Sequence, residues 1–184
     1  MATAEKLITA EEFFRMPDAE DGSQYELVRG ELIKMPPPNP RHGQCCLAVG
    51  AALRDFAKKQ KLGWVATNDP GVILQRDPDT VRGPDVAFWS SQRLAQLPNS
   101  YTEVVPDLAV EVVSPTDTHR QLSERVLDFL RHGVRMVWVV DPDQRIATVY
   151  RSRQDVRILE ESEEVDGGDV LPGFRCRVSE FFDG

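Results

Sequence analysis

The most strand-like stretch of the chain is Leu108-Ala109-Val110-Glu111-Val112-Val113. Because side chains alternate between the two faces of a strand, Glu111 shares one face with Ala109 and Val113, and the opposite face is entirely apolar. Such a run predicts a buried central strand. A buried carboxylate is costly unless it is paired, hydrogen-bonded or bound to a metal. Glu111 therefore has either a functional role or a structural ion pair with an arginine.

A second acidic residue, Asp85, stands at the start of another predicted strand. It follows Gly83 and Pro84, and by the same alternation it shares a face with Ala87 and Trp89. We expect the carboxylates of Asp85 and Glu111 to lie on adjacent strands, close enough to share one cation, in a pocket open to solvent.

Helices and further strands surround these two segments. Apolar periodicity, capping residues and turn signals predict helices over 9–16, 41–61 and 120–132, and strands over 25–28, 31–35, 64–67, 71–75, 84–89, 108–113, 136–140 and 146–150. Gly63 and Gly133 are expected to end the two long helices. The acidic segment 160–169 is expected to be a solvated turn region, with further strands toward Phe174. We predict an α/β fold with a mixed central sheet flanked by helices and preceded by an N-terminal β-hairpin.

Composition limits the class of protein. The chain has 184 residues, 41% hydrophobic and 28% charged, which is typical of one folded domain, here 1–184, and argues against disordered or fibrous proteins. No apolar run approaches the ~20 residues of a membrane span, and no secretory signal begins the chain. A cytoplasmic protein without membrane contact is expected.

Charge and cysteine content bear on partners and metals. The net charge of -8 opposes nonspecific nucleic-acid binding, although a local basic face or bound divalent cations can offset that repulsion. Cys45 and Cys46 are neighbours in a predicted helix, and Cys176 lies far along the chain. They are expected to be buried, reduced thiols, and the sequence indicates neither a zinc site nor a disulfide framework.

Several separate segments, taken together and in order, resemble a known family. They are Tyr25-Glu26-Leu27-Val28 with Gly30-Glu31-Leu32, Pro40-Arg41-His42-Gly43, Arg82-Gly83-Pro84-Asp85-Val86, Pro106-Asp107-Leu108 with Glu111-Val112-Val113-Ser114-Pro115, Gly133-Val134 with Val137-Trp138-Val139-Val140-Asp141-Pro142, and Leu171-Pro172-Gly173-Phe174. The chain is similar, over nearly its whole length, to a widespread bacterial family of restriction-endonuclease-like proteins, a branch of the PD-(D/E)XK nuclease superfamily.

The resemblance implies a restriction-endonuclease-like fold and a metal-dependent DNA endonuclease. Asp85, Glu111 and the main-chain carbonyl of Val112 would ligate Mg²⁺ or Mn²⁺, which prefer oxygen ligands. The ion would activate water and neutralise charge on the scissile phosphate of double-stranded or branched DNA. Because many such nucleases cut both strands as dimers, a homodimer is expected.

The sequence departs from the superfamily pattern at the lysine expected two residues after Glu111, where it has Val113. The resemblance suggests that a residue on the following helix, Arg125, takes over the task. Arginine can stabilise phosphate charge but remains protonated, so it cannot serve as a base.

The matching segments also contain Glu26 and His42. Glu26 would be an outer metal ligand, or else a solvent-facing strand residue. His42 would contact substrate or transfer a proton, or else simply begin a helix. Loop arginines are candidate phosphate contacts, namely Arg41, Arg82 and Arg120.

Two other functions remain open at this point. In one, the chain is a catalytically impaired nuclease-fold protein that acts as a nucleic-acid-binding or protein-interaction module, as the acidic balance and the missing lysine would suit. In the other, it is a structural or assembly protein in which Glu111 pairs permanently with Arg125. A divalent-ion titration separates these alternatives, because only a functional carboxylate pair should gain thermal stability from Mg²⁺ or Mn²⁺.

Overall fold

A computed structural model describes residues 7–17 and 19–183. Its helices are α1 (Ala10–Phe14), α2 (Pro40–Gln60) and α3 (His119–Arg131), with a short 3₁₀ helix at Val178–Phe181. Its strands are β1 (Gln24–Val28), β2 (Glu31–Met35), β3 (Gly63–Thr67), β4 (Val72–Gln75), β5 (Thr80–Arg82), β6 (Val86–Ser90), β7 (Leu108–Val112), β8 (Met136–Asp141), β9 (Ile146–Tyr150), β10 (Val156–Glu160), β11 (Glu164–Asp166) and β12 (Arg175–Arg177).

The central sheet has six strands in the order β10-β9-β8-β7-β6-β3. Strands β7 and β8 are parallel, and the other neighbours are antiparallel. The predicted α/β fold with a mixed central sheet is therefore confirmed. The N-terminal hairpin also forms, but it belongs to a second sheet with the order β2-β1-β5-β4.

The two long helices cover opposite faces of the central sheet. Helix α2 packs its apolar stripe against one face, where the side chains of Val86, Leu108, Val110 and Val112 are buried. Helix α3 packs Val126 and Phe129 against the other face, together with Ala87, Trp89 and Ala109. This alternation along β7 turns Glu111 toward the side of α3.

Local signals explain how several elements begin and end. Thr9 and Glu12 form the capping box that starts α1, as the sequence predicted. In the hairpin turn Arg29 and Gly30 both have positive φ. Gly133, with a φ of 93°, follows α3 as expected.

Three expectations about local structure were wrong. Helix α2 ends with a left-handed residue at Lys61, before Gly63 is reached. Strand β5 was not predicted, because three residues are too short to show an alternating pattern. The acidic segment 160–169 is not all turn, since it contains β11, whose Val165 is fully buried between polar neighbours.

In the described part of the chain, no helix has the length and apolar character needed to cross a bilayer.

Candidate functional site

Asp85 and Glu111 meet at one end of the central sheet. Strands β6 and β7 are antiparallel and pair Val86 with Val110, so one further step along this register sets Asp85 opposite Glu111. The Oδ2 atom of Asp85 accepts a hydrogen bond of 2.6 Å from the main-chain N–H of Val112. The two acids therefore lie on neighbouring strands, where the chain enters β6 and leaves β7.

The carboxylate of Glu111 is almost completely withdrawn from solvent. The residue is 3% exposed; its Oε2 accepts a bond of 2.7 Å from Arg125 Nε, while its Oε1 is buried without a hydrogen-bond partner. Burial raises the pKa of Glu111 to about 8, because the charge of Arg125 only partly offsets desolvation and the repulsion from Asp85 and Glu26. An unsatisfied buried oxygen on an acid is costly and calls for a cation or a proton.

Arg125 binds three parts of the chain at once. Besides its bond to Glu111, its Nη2 donates to the carbonyl of Gly83 at 3.1 Å, and its Nη1 lies 3.0 Å from Glu26 Oε1. The Nη1 contact is close enough for an ion pair, but it lacks hydrogen-bond geometry, so Glu26 Oε1 also remains without a hydrogen bond. The sequence expectation that Arg125 reaches the site from α3 agrees with these contacts.

Glu26 lies inside the site as part of a buried ion-pair network. The residue is 6% exposed, so the solvent-facing alternative for Glu26 is wrong. Its Oε2 accepts from Arg82 Nη1 at 2.6 Å, and Arg82 Nη2 donates to Asp128 Oδ2 at 2.7 Å. Arg82 was expected on a loop as a phosphate contact, but it is buried at the end of β5 and its guanidinium binds protein carboxylates.

His42 approaches Asp85 from the first turn of α2. Its Nε2 lies 3.2 Å from Asp85 Oδ1, and the ring also hydrogen-bonds the main chain of Val112. Burial alone lowers the pKa of His42, but the hydrogen bond to Asp85 and the negative charges of Asp85 and Asp69 outweigh it and raise that pKa. The imidazole thus carries positive charge toward Asp85 and Val112, both proposed as sources of oxygen ligands from the sequence.

One acid of the site was missed by sequence reasoning. Asp69 follows β3 in a left-handed turn with Asn68, and burial together with the charge of Asp85 raises its pKa to about 6. Gly83 packs against this turn, because a Cβ at Gly83 would lie 2.6 Å from the carbonyl oxygen of Asp69. Asn-Asp is a turn signal, but the turn signal alone does not reveal that the carboxylate approaches a site formed by β6 and β7.

The acids and Arg125 line one cavity of about 350 Å³. Its carboxylates outnumber its cationic side chains, since Glu26, Asp69, Asp85, Glu111 and Asp117 face only Arg125 and His42. The opposite wall is apolar and includes Phe13, Phe14, Met35 and Tyr101. The cavity therefore combines an acidic base, which suits a cation, with an apolar rim.

Two arginines suggested as phosphate contacts lie outside this cavity lining. Arg41 is exposed and pairs with Asp143 at 2.7 Å, and Arg120 is exposed and pairs with Glu124 at 2.9 Å. Both could move toward a ligand, since surface ion pairs of this kind are weak.

Comparisons with known proteins agree with this architecture. A family model described as "Uma2: Putative restriction endonuclease" matches residues 10–179. The fold is similar to that of a solved protein described as "a putative nuclease belonging to DUF820 from Anabaena variabilis ATCC 29413", with a TM-score of 0.80 and 22% sequence identity, covering 95% of this chain and 97% of that one. A sequence comparison with curated proteins gave no match.

Proposed function

The chain belongs to the Uma2 family of restriction-endonuclease-like proteins, and on that premise we propose that it hydrolyses DNA phosphodiester bonds with Mg²⁺ or Mn²⁺ held by Asp85 and Glu111. One observation carries the proposal. Glu111 Oε1 is a buried carboxylate oxygen without a hydrogen bond, in a cavity that Asp85 also lines. Selection tolerates such an atom most readily where a ligand completes its coordination.

The side chains present suit a hard divalent cation. Mg²⁺ and Mn²⁺ prefer carboxylate, carbonyl and water oxygens, and Asp85, Glu111 and the Val112 carbonyl would supply the protein ligands. Both oxygens of Asp85 already accept a bond, from His42 and from the Val112 N–H, but each carboxylate oxygen can accept more than one partner. The excess of acids in the cavity favours an incoming cation.

The bound ion would supply a Lewis acid that offsets phosphate charge and makes water a better nucleophile. Arg125 fixes the direction of Glu111 through Nε, and it has N–H groups beyond those engaged with Glu111, Glu26 and Gly83. These groups can stabilise charge on the scissile phosphate. Glu26 acts through Arg125 and Arg82, and so it is a positioning residue.

His42 is the group of this site best suited to proton transfer. Its Nε2 faces Asp85, which holds the ring in place, and its raised pKa keeps a proton available near neutral pH. We assign His42 the role of donating that proton to the leaving oxygen of the DNA.

A second candidate function rests on the same contacts of Arg125. Because Arg125 already neutralises Glu111 and approaches Glu26, the site could be a permanent ion-pair cluster in a nuclease-fold protein that binds nucleic acid or protein without cutting. A cluster of this kind would not gain stability from Mg²⁺ or Mn²⁺.

A nuclease assay tests the proposal. The protein is incubated at low salt with linear, nicked and branched DNA, with Mn²⁺ or with EDTA. We expect Mn²⁺-dependent cleavage of at least one substrate, and its loss in Asp85→Asn. Asp143→Asn is the matched control, because Asp143 is an exposed acid outside the lining of the cavity. No cleavage of any substrate, or equal cleavage in EDTA, would favour the second candidate.

A further inference from the structure

The structure brings together a second set of potential metal ligands beside the hard-cation site. In the part of the chain that the structure describes, one set of at least three His, Cys, Asp or Glu residues places a ligand atom of each within 4.8 Å of the others, and it comprises His42, Cys46 and Asp85. We propose that these three side chains bind Zn²⁺. Glu111 is not in this set, so the two metal sites share only Asp85.

Helix geometry explains two of the three ligands. His42 and Cys46 are four residues apart in α2, so they project from the same face on successive turns. The Cys46 Sγ lies 3.5 Å from His42 Nδ1, while Nε2 of the same ring lies 3.2 Å from Asp85 Oδ1. The imidazole thus stands between the thiol and the carboxylate.

The separations are close to those of a tetrahedral zinc site. Bonds of 2.0–2.3 Å to zinc set ligand atoms about 3.3–3.7 Å apart. Since the three ligand atoms lie within 4.8 Å of one another, side-chain adjustments on the order of 1 Å bring them onto one ion. A single ring nitrogen would bind, and water would complete the coordination.

The donor set selects the class of metal. A thiolate and an imidazole favour borderline or soft ions such as Zn²⁺ over Mg²⁺. The neighbouring acids favour a cation as well, because burial and then the charges of Asp85, Cys45, Asp69 and Glu111 raise the pKa of Cys46. Zinc would replace the thiol proton, which is released to solvent. His42 and Asp85 line the cavity, so an ion can arrive from that side.

Sharing of Asp85 has a consequence for the hard-cation site. Zn²⁺ held by His42, Cys46 and Asp85 would withdraw one of the two carboxylates proposed to hold Mg²⁺ or Mn²⁺. We therefore expect Zn²⁺ to inhibit cleavage. This consequence rests on the proposed function, whereas zinc binding itself does not.

Cobalt substitution tests the proposal without any activity measurement. Co²⁺ is titrated into the reduced full chain, and absorption is followed for the thiolate-to-cobalt charge-transfer band and the visible bands of tetrahedral Co²⁺. We expect one equivalent to bind, Zn²⁺ to displace it, and Cys46→Ser to lose the charge-transfer band with at least a tenfold weaker Zn²⁺ affinity. Cys176→Ser is the matched control, because Cys176 is a free cysteine outside the cluster, and it should keep the band.

Two results would overturn the zinc site. One is the absence of a charge-transfer band in the wild type, and the other is its persistence in Cys46→Ser. Circular dichroism of each variant shows whether a lost band reflects lost folding, and His42→Ala provides an independent variant that should also lose the band. A wild type that binds Co²⁺ as expected but never cleaves DNA would leave the zinc site standing and remove the nuclease.

Discussion

Arg125 Nε donates to Glu111 Oε2 at 2.7 Å, and both side chains are almost fully buried. This pair joins α3 to the central strand β7 and, through Glu26, to the second sheet. Its energetic meaning differs from that of a surface ion pair, because removing either partner leaves an uncompensated charge in the interior.

Replacement of Arg125 by alanine should therefore destabilise the protein strongly. Glu26 and Glu111 would lose a shared counter-charge, which typically costs about 3–5 kcal/mol for a buried pair. Urea unfolding at neutral pH measures the loss. Arg120→Ala is the control on the same helix, because Arg120 is exposed and pairs with Glu124; it should change stability by about 0.5 kcal/mol or less.

The partner substitution separates charge from packing. Glu111→Gln in the Arg125→Ala background should recover part of the lost stability, since it removes one buried charge. An Arg125→Ala protein as stable as the wild type would contradict the buried network.

Divalent ions should stabilise the folded protein through Asp85 and Glu111. Linkage gives about 2.7 kcal/mol at an ion concentration 100 times Kd, which corresponds to roughly 5–10 °C in Tm for a chain of this size. Differential scanning fluorimetry with Mn²⁺ should show this rise in the wild type and little or none in Asp85→Asn or Glu111→Gln. A rise that is equal in all three proteins would place the ion elsewhere.

The raised pKa of Glu111 predicts how stability without metal depends on pH. Glu111 holds its proton more tightly in the folded protein, where its pKa is about 8, than at its ordinary value of 4.5. The stabilisation is complete below 4.5 and is lost as the pH rises toward 8. Unfolding free energies of wild type and Glu111→Gln should diverge over that window, with the wild type losing more. Parallel pH profiles would show that Glu111 stays ionised throughout.

Val113 allows a direct test of the task assigned to Arg125. Val113 follows β7, is partly buried and packs on the α3 side of the sheet, the side toward which Glu111 points. Val113→Lys in the Arg125→Lys background should raise cleavage, because a second ammonium would reach the same carboxylate and phosphate. Rates from end-labelled DNA measure the change, and Val156→Lys, at an exposed strand position, controls for added charge. Equal rates in all three proteins would argue against this placement.

The main elements of the fold could be predicted because their signals are local. The alternating run of β7, the apolar stripe of α3 and the positive backbone angles of the Arg29-Gly30 turn all depend on residues close together in sequence. The short strands β5 and β11 could not be predicted, since their pairing partners, not their own sequences, determine them.

The site was predictable in part for the same reason. Glu111 attracted notice as a charge within an apolar strand, and Asp85 through its position before another. Asp69 and Cys46 gave no such signal, because each reaches the site only through tertiary packing of its turn or helix. The burial of Glu26 and Arg82 likewise depends on the second sheet, whose assembly no local pattern shows.

The most direct test of the central claim is a time course of Mn²⁺-dependent cleavage by wild type and Glu111→Gln on one end-labelled DNA substrate. Glutamine keeps the size of the side chain but removes the charge that the ion requires. The account predicts cleavage by the wild type and a rate at least about 10²-fold lower for Glu111→Gln, with circular dichroism confirming that the variant is folded. Equal rates for the two folded proteins would contradict the claim that Glu111 holds the ion on which phosphodiester cleavage depends.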